Sequence, residues 1–263
     1  MDLRYVKFTN RADKTISDDG WTLSVKINAL GGADKITGYG YIGISNTGTI
    51  YTAEGNDTIA GKSYYYGISN TGTIDTGKGN DTIIGTSRIS VAISNDGTIY
   101  TGEGNDTITG KGGTTVDRLN AIYNAGTINT GKGDDKITGT GNAGYGILNV
   151  GTIDTGEGND IVDALKGGFA RGGKTYLGKG NDTLKGFGEG EFHGGSGKDK
   201  MLFGEGTFII TGSTIIQDGR TTDYGIVTMN VNQFEQIGGA KGGLFDFRDG
   251  TLTVNAAGVG TFA

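Results

Sequence analysis

The chain has 263 residues, of which 54 are glycine, with no proline, no cysteine and a single histidine, His193. Without cysteine there are no disulfides or thiolate metal sites, and one histidine excludes the usual zinc sites and most histidine-based catalysis, so any metal must sit on oxygen. A net charge of −6 and a pI near 4.8, with lysines interleaved among acids, argue against a nucleic-acid partner and for a surface that attracts cations.

The first thirty residues hold the strand-like pieces Lys14-Thr15-Ile16-Ser17 and Trp21-Thr22-Leu23-Ser24-Val25-Lys26-Ile27 on either side of the turn Asp18-Asp19-Gly20. The start, Met1-Asp2-Leu3-Arg4-Tyr5, lacks the apolar core of a signal peptide, and no run approaches 18 apolar residues. Membrane insertion is therefore not expected.

From there a repeat takes over. Aligned on a Gly-x-Asp step, aspartates fall at Asp34, Asp57, Asp81, Asp106, Asp135, Asp160, Asp182 and Asp199, spaced by 23, 24, 25, 29, 25, 22 and 17 residues. Such a period, without helix-forming runs, is one coil of a β-solenoid and too short for an α-solenoid repeat. Within a coil the text runs Gly-Ile-Ser-Asn, a turn, Gly-Thr-Ile-x-Thr, a second turn Gly-x-Gly-Asn-Asp, then Thr-Ile-x-Gly and a variable stretch. Each piece alternates with period two, which predicts three short strands per coil with one face buried.

Three isoleucine columns are expected to fill the interior: Ile50, Ile74, Ile99, Ile128 and Ile153; Ile59, Ile83, Ile108, Ile137 and Val162; Ile44, Ile68, Ile93, Ile122 and Ile147. Asn46, Asn70, Asn95, Asn124 and Asn149 recur at the first turn. They read as a structural asparagine ladder, on left-handed backbone, with amides bonding from coil to coil. The variable stretch, Gly61 to Tyr66 in one coil and Gly110 to Asn120 in another, is where loops are expected to crowd.

The second turn carries the chemistry. In Thr76-Gly77-Lys78-Gly79-Asn80-Asp81 and Thr101-Gly102-Glu103-Gly104-Asn105-Asp106, glycines four and two before the aspartate let the backbone bend so that carbonyl oxygens face one side. Carbonyls completed by a carboxylate are what a hard cation requires, and stacked coils about 4.8 Å apart let one ion take carboxylates from two turns. The candidate ligands are Asp57, Asp81, Asp106, Asp135, Asp160, Asp182 and Asp199, with Gly77, Gly79, Gly102, Gly104, Gly131, Gly133, Gly156, Gly158, Gly178, Gly180, Gly195 and Gly197. Asp34 is left out because its turn lacks the glycine four residues earlier, and Ala53 replaces the same glycine before Asp57. Between the two glycines Glu54, Lys78, Glu103, Lys132, Glu157 and Lys179 alternate in sign, which suits register control between rungs.

These turns resemble the glycine-rich nonapeptide of the repeats-in-toxin (RTX) family, Gly-Gly-x-Gly-x-Asp-x-hydrophobic-x, over roughly residues 30 to 205. The resemblance implies calcium as the ion, folding driven by calcium, and export of an unfolded chain by a bacterial route that needs no signal peptide, to the cell surface or the extracellular medium. Two departures matter. The first glycine is usually Thr (Thr76, Thr101, Thr130, Thr155), and each coil has one nonapeptide where the family's β-roll has two. One metal column along one edge of a wider coil is therefore expected.

The fold expected is all-β: a right-handed parallel β-helix of about seven coils of roughly 24 residues with three short strands each. Residues 1–30 are read as an N-terminal cap with Trp21 as its plug and 31–215 as the calcium-binding solenoid. Residues 216–263 are read as a C-terminal cap or a secretion signal. The function expected is a calcium-binding structural or surface-associated solenoid, whose faces meet cell-surface polysaccharide or protein. The alternatives are an ice-binding or adhesin module and, further off, a polysaccharide-modifying β-helix enzyme. An ice-matching face beside the metal edge would keep its Asn half as Asn56, Asn80, Asn105, Asn159 and Asn181, but alternating Glu and Lys replace its Thr half and should spoil it, although Thr49, Thr73, Thr98, Thr127 and Thr152 make another outward column. An enzyme would need a proton-transfer cluster that stands out from the repeat, and His193, Arg88, Arg118 and Arg171 form none in sequence.

Overall fold

The structure, a computed structural model, describes residues 11, 13–23, 26–113, 120–142, 144–222 and 225–263. Arg118, Ser24, Val25 and the start from Met1 to Tyr5 lie outside the described residues, as does the Trp21 side chain. Among the described residues every regular element is a strand.

One coil explains the rest. Thr107–Lys111 lies parallel between Thr82–Ser87 and Lys136–Thr140, in a register that pairs Ile108 with Ile83 and Ile137. Ile122–Asn124 lies between Ile93–Asn95 and Ile147–Asn149, and Thr127–Asn129 between Thr98–Tyr100 and Thr152–Asp154. Each repeat thus supplies three strands to a parallel β-solenoid, and the Ile-x-Asn and Thr-Ile-x texts meet only their own copies. In the coils Lys35–Asn46 and Thr58–Asn70 the variable stretch is itself extended, so two of the three strands run on as one.

The register rests on burial. The three isoleucine columns are fully buried, from Ile44, Ile50 and Ile59 through Ile147 and Ile153. At about 1.5–3 kcal/mol for each such side chain, slipping one residue would turn a whole column outward. The asparagines stand at the ends of the buried strands, and none of them is left-handed. Asn46, Asn70, Asn95 and Asn124 each donate to the next Asn Oδ1 at 2.7–2.9 Å. Burial, rather than backbone strain, dictates an amide there, because it satisfies both its neighbour and the adjacent main chain.

The parallel ladder extends beyond the clear repeats. Lys14–Ser17 pairs with Lys35–Gly38, Trp21–Leu23 with Ile44–Asn46, and Lys26–Asn28 with Thr49–Tyr51, so the N-terminal segment keeps coil register. At the other end an antiparallel excursion, Gly206–Thr211 against Thr214–Thr222, interrupts the winding. The chain then returns, placing Gly225–Asn232 on Gly190–His193 and Gln236–Gly239 on Lys200–Phe203, again parallel. Antiparallel strands Gly242–Asp246, Gly250–Val254 and Gly260–Phe262 follow. Phe187, Phe203 and Phe208 pack ring to ring in this region, where the repeat's isoleucines give out.

Candidate metal centre

Each second turn is built by alternating backbone hands. Gly77 and Gly79 have φ of 93° and 132°, and the same pair recurs at Gly102 and Gly104, Gly131 and Gly133, and Gly156 and Gly158. Leu30 and Ala53 replace the first glycine in the two earliest turns and accept φ of 74°, a strained value for a side chain. The turns form there all the same. Steric room is short at both glycines: a Cβ on Gly77 would fall 1.9 Å from the Ala53 carbonyl oxygen of the neighbouring coil, and one on Gly79 1.8 Å from that of Gly55.

The aspartates that end these turns point inward. Asp34, Asp57, Asp81, Asp106, Asp135, Asp160, Asp182 and Asp199 are each at most 2% exposed, so the edge read from the sequence is an interior column, and Asp34 belongs to it. One oxygen of each is committed. The main-chain N–H of Asp81 donates to Asp106 Oδ1 at 2.7 Å, that of Asp106 to Asp135 Oδ1 at 2.7 Å, and so on from Asp13 to Asp182. The other oxygen, Oδ2, is buried without a hydrogen-bond partner in all eight.

Burial without a partner shifts the acids. Asp81, Asp160 and Asp182 are pushed up to about 7, and Asp34, Asp106 and Asp135 to about 6, from 3.8. Asp57 and Asp199 move in the same direction. In every case loss of solvent is the largest cause, the N–H from the preceding coil opposes it, and repulsion between neighbouring aspartates is minor where it acts. The threonines that replace the family's first glycine line the same interior. Thr76, Thr101 and Thr130 hydroxyls donate to the Thr carbonyl of the next coil at 3.1 Å, which commits the one proton of each to the main chain.

The glycine carbonyls divide into two sets. Those of Gly77, Gly102, Gly131 and Gly156 accept N–H groups from Glu103, Lys132, Glu157 and Lys179 of the next coil at 2.8–3.0 Å. No hydrogen bond reaches the carbonyls of Gly79, Gly104, Gly133 or Gly158 among the described residues. Among these residues, too, no group of three or more acidic or histidine side chains converges. A cation here would draw one carboxylate from each rung and complete its shell with main-chain oxygen, a donor set suited to calcium. The unpaired Oδ2 atoms fit such an ion, since a buried carboxylate oxygen must otherwise take a proton.

Outside the column lie two surface ranks. Glu54, Lys78, Glu103, Lys132, Glu157 and Lys179 bridge in sequence order, with Lys78–Glu103 at 3.6 Å and Lys179–Glu157 at 2.8 Å. These pairs are exposed and worth little singly. Beside the aspartates, Asn56, Asn80 and Asn105 accept the N–H of the residue one coil later, the reverse of the aspartate direction. His193, alone among glycines in sequence, stacks on Tyr176 at 4.8 Å.

One residue escaped the sequence pattern. Glu235 Oε2 accepts the Asp199 N–H at 2.6 Å, standing where the next aspartate of the column would stand. It comes 36 residues after Asp199, beyond the antiparallel excursion, so no periodic signal points to it.

A family model for the RTX calcium-binding nonapeptide repeat (4 copies) matches residues 66–87, 94–116 and 152–168, which span the turns of Asp81, Asp106 and Asp160. No curated protein and no solved structure gives a match. The turns at Asp57, Asp135, Asp182 and Asp199 lie outside the matched segments yet carry the same buried carboxylate and the same orphaned oxygen. Within those three segments the chain matches the RTX calcium-binding nonapeptide repeat, and the turns stack into a parallel β-solenoid.

Proposed function

We propose that this calcium-binding repeat protein folds around a single column of calcium ions and serves as a metal-stiffened structural solenoid at or outside the cell surface. Asp57, Asp81, Asp106, Asp135, Asp160, Asp182 and Asp199, joined by Asp34, supply the charged oxygens. The glycine carbonyls of the same turns supply the rest, foremost Gly79, Gly104, Gly133 and Gly158, which have no other partner. The bound ion would neutralise carboxylates that the interior cannot leave charged, so binding free energy becomes folding free energy.

The observation that carries this reading is the row of eight buried Oδ2 atoms without partners. An ordinary tight turn has no use for them. The export route of the family suits such a chain, because a column that needs calcium to close stays open until calcium is supplied.

The test is a calcium titration followed by far-ultraviolet circular dichroism, with bound metal counted. β-Structure should appear cooperatively with about seven ions per chain, one for each gap between neighbouring aspartates. An ordered, cooperative fold at neutral pH in excess chelator would remove the support for calcium-driven folding.

A further inference from the structure

Among the described residues the parallel ladders show one register shift, and it is made of tyrosines. Lys35–Asn46 and Thr58–Asn70 pair in step to Gly40 and Ser63, then resume at Ile42 and Tyr66, so Tyr41 faces both Tyr64 and Tyr65. One residue opposing two is a β-bulge, a feature that re-aims side chains and gathers at functional sites. Tyr41 stacks on Tyr65 with centroids 5.4 Å apart and planes 2° from parallel, and on Tyr64 at 6.1 Å. Yet these rings are not core. Tyr41 is 63% exposed, Tyr64 47% and Tyr39 38%.

A groove of about 470 Å³ adjoins them, crossing three consecutive coils and lined by Tyr39, Lys62, Ser63, Tyr64, Thr86 and Arg88, together with Gly40 and Ser87. Its size is that of a small-molecule site. The Arg88 guanidinium lies over the Tyr64 ring at 5.8 Å. Ser63 Oγ is buried and has no hydrogen-bond partner. Ser87 is fixed, donating to the Tyr65 carbonyl and accepting the Ser90 N–H, which braces the wall beneath the rings.

We propose that this groove binds a polysaccharide bearing carboxylate groups. Exposed ring faces carry the negative side of the aromatic quadrupole and attract the polarised C–H groups of a sugar ring. The hydroxyl of Thr86 suits a polyhydroxylated ligand. In a chain of net charge −6, the described residues of the groove's walls include two cations, Lys62 and Arg88, and no acid. The main chain of Asp18 and Asp19 packs against Gly40. Thr58–Ser63 and Thr82–Thr86 are paired on both sides, which leaves no free edge along them for a peptide to join as an extra strand. The proposal uses none of the aspartate column and stands apart from the calcium reading.

The experiment is isothermal titration of the full chain, in saturating calcium, with hyaluronan oligosaccharides and with uncharged dextran oligosaccharides of equal length. Hyaluronan should bind and dextran bind at least about tenfold more weakly. Tyr41→Ala with Tyr64→Ala should abolish binding, Tyr64→Phe should keep it, and Arg88→Gln should weaken it about tenfold. Calcium count and circular dichroism of each variant establish that the solenoid is intact. Failure of hyaluronan to bind, equal binding of dextran, or indifference to the tyrosine substitutions in folded protein would each overturn the proposal. Sugar binding by a folded chain that takes up no calcium would leave it standing and sink the calcium column alone.

Discussion

Replacing Asp106 by Asn separates the two things its carboxylate does. Asn keeps an oxygen for the Asp81 N–H, now at 2.7 Å from Oδ1, and removes the charge carried on the orphaned Oδ2. Burial raises the Asp106 carboxyl from 3.8 to about 6. The sign follows from linkage: a raised folded-state value favours the fold when the group is protonated. That stabilisation is complete below about pH 4 and is lost as pH climbs through 6. At neutral pH the charged group therefore opposes the metal-free fold by at most about 3 kcal/mol, and by roughly 1–2 once solvent screening near the turn is allowed for.

Asp106→Asn lifts that penalty in chelator but removes a proposed calcium ligand, one that the gaps on either side would share. Its two effects have opposite signs. In chelator, wild-type β-structure should grow as pH falls from about 7 towards 4, and the variant, needing one proton fewer, should reach its midpoint at higher pH. In calcium at pH 7.5 the variant should bind about one or two fewer ions and unfold at lower urea. Circular dichroism under both conditions, with metal counting, makes the comparison. Loss of stability in chelator as large as in calcium would show that Asp106 acts through packing and hydrogen bonding alone, and the reasoning about its charge would be wrong.

Three further outcomes are expected. Apparent calcium affinity should fall about tenfold per site between pH 8 and pH 6 at the gaps flanked by Asp81, Asp160 and Asp182, whose carboxyls are pushed up to about 7, as titration calorimetry at each pH would show. Gly79→Ala should cost about 3 kcal/mol or more in urea unfolding with calcium present, because its Cβ meets the Gly55 carbonyl at 1.8 Å on a backbone with φ of 132°. Glu235→Ala, by stranding the Asp199 N–H, should cost about 1–3 kcal/mol and speed amide exchange in the last coils, whereas Glu235→Gln should cost less.

The interior was legible because its signal is periodic. Ile99 and Ile128 are 29 residues apart while Ile74 and Ile99 are 25 apart, yet the Gly-Thr-Ile text locates each, and the structure pairs them directly. Direction was less legible. A period tells which aspartates stack but not whether they face solvent, and nothing in Gly-Asn-Asp says that Asn105 lies on the surface while Asp106 is buried; the left-handed glycines decide that. The tyrosine bulge was hidden for a different reason. The variable stretch has no copy elsewhere in the chain, so its register shift cannot be read from repetition, and only the aromatic run Tyr64-Tyr65-Tyr66 signals it. Glu235 was invisible because it substitutes by position in space, not by spacing in sequence.

The aspartate column also has a polarity, and this explains why it must be ended as well as built. Every carboxylate accepts from the coil before it, so each coil's Asp N–H needs an acceptor from the coil after. The first coil poses no problem, since Asp13 N–H already finds Asp34. At the last rung no further repeat follows, and the Asp199 N–H would be stranded at the interior end of the stack. The excursion from Gly206 to Thr222 lets the chain return with a longer acid, and Glu235 reaches the N–H while its own N–H and that of Gln236 bond the Asp199 carbonyl at 3.0 Å. The asparagine rank runs in the opposite sense, each Oδ1 accepting from the coil after, so its final acceptor, Asn181, is met by Lys198 N–H without any special residue. Of the two ladders only the aspartate one needs a terminator, which is why the departure from the repeat falls after Asp199.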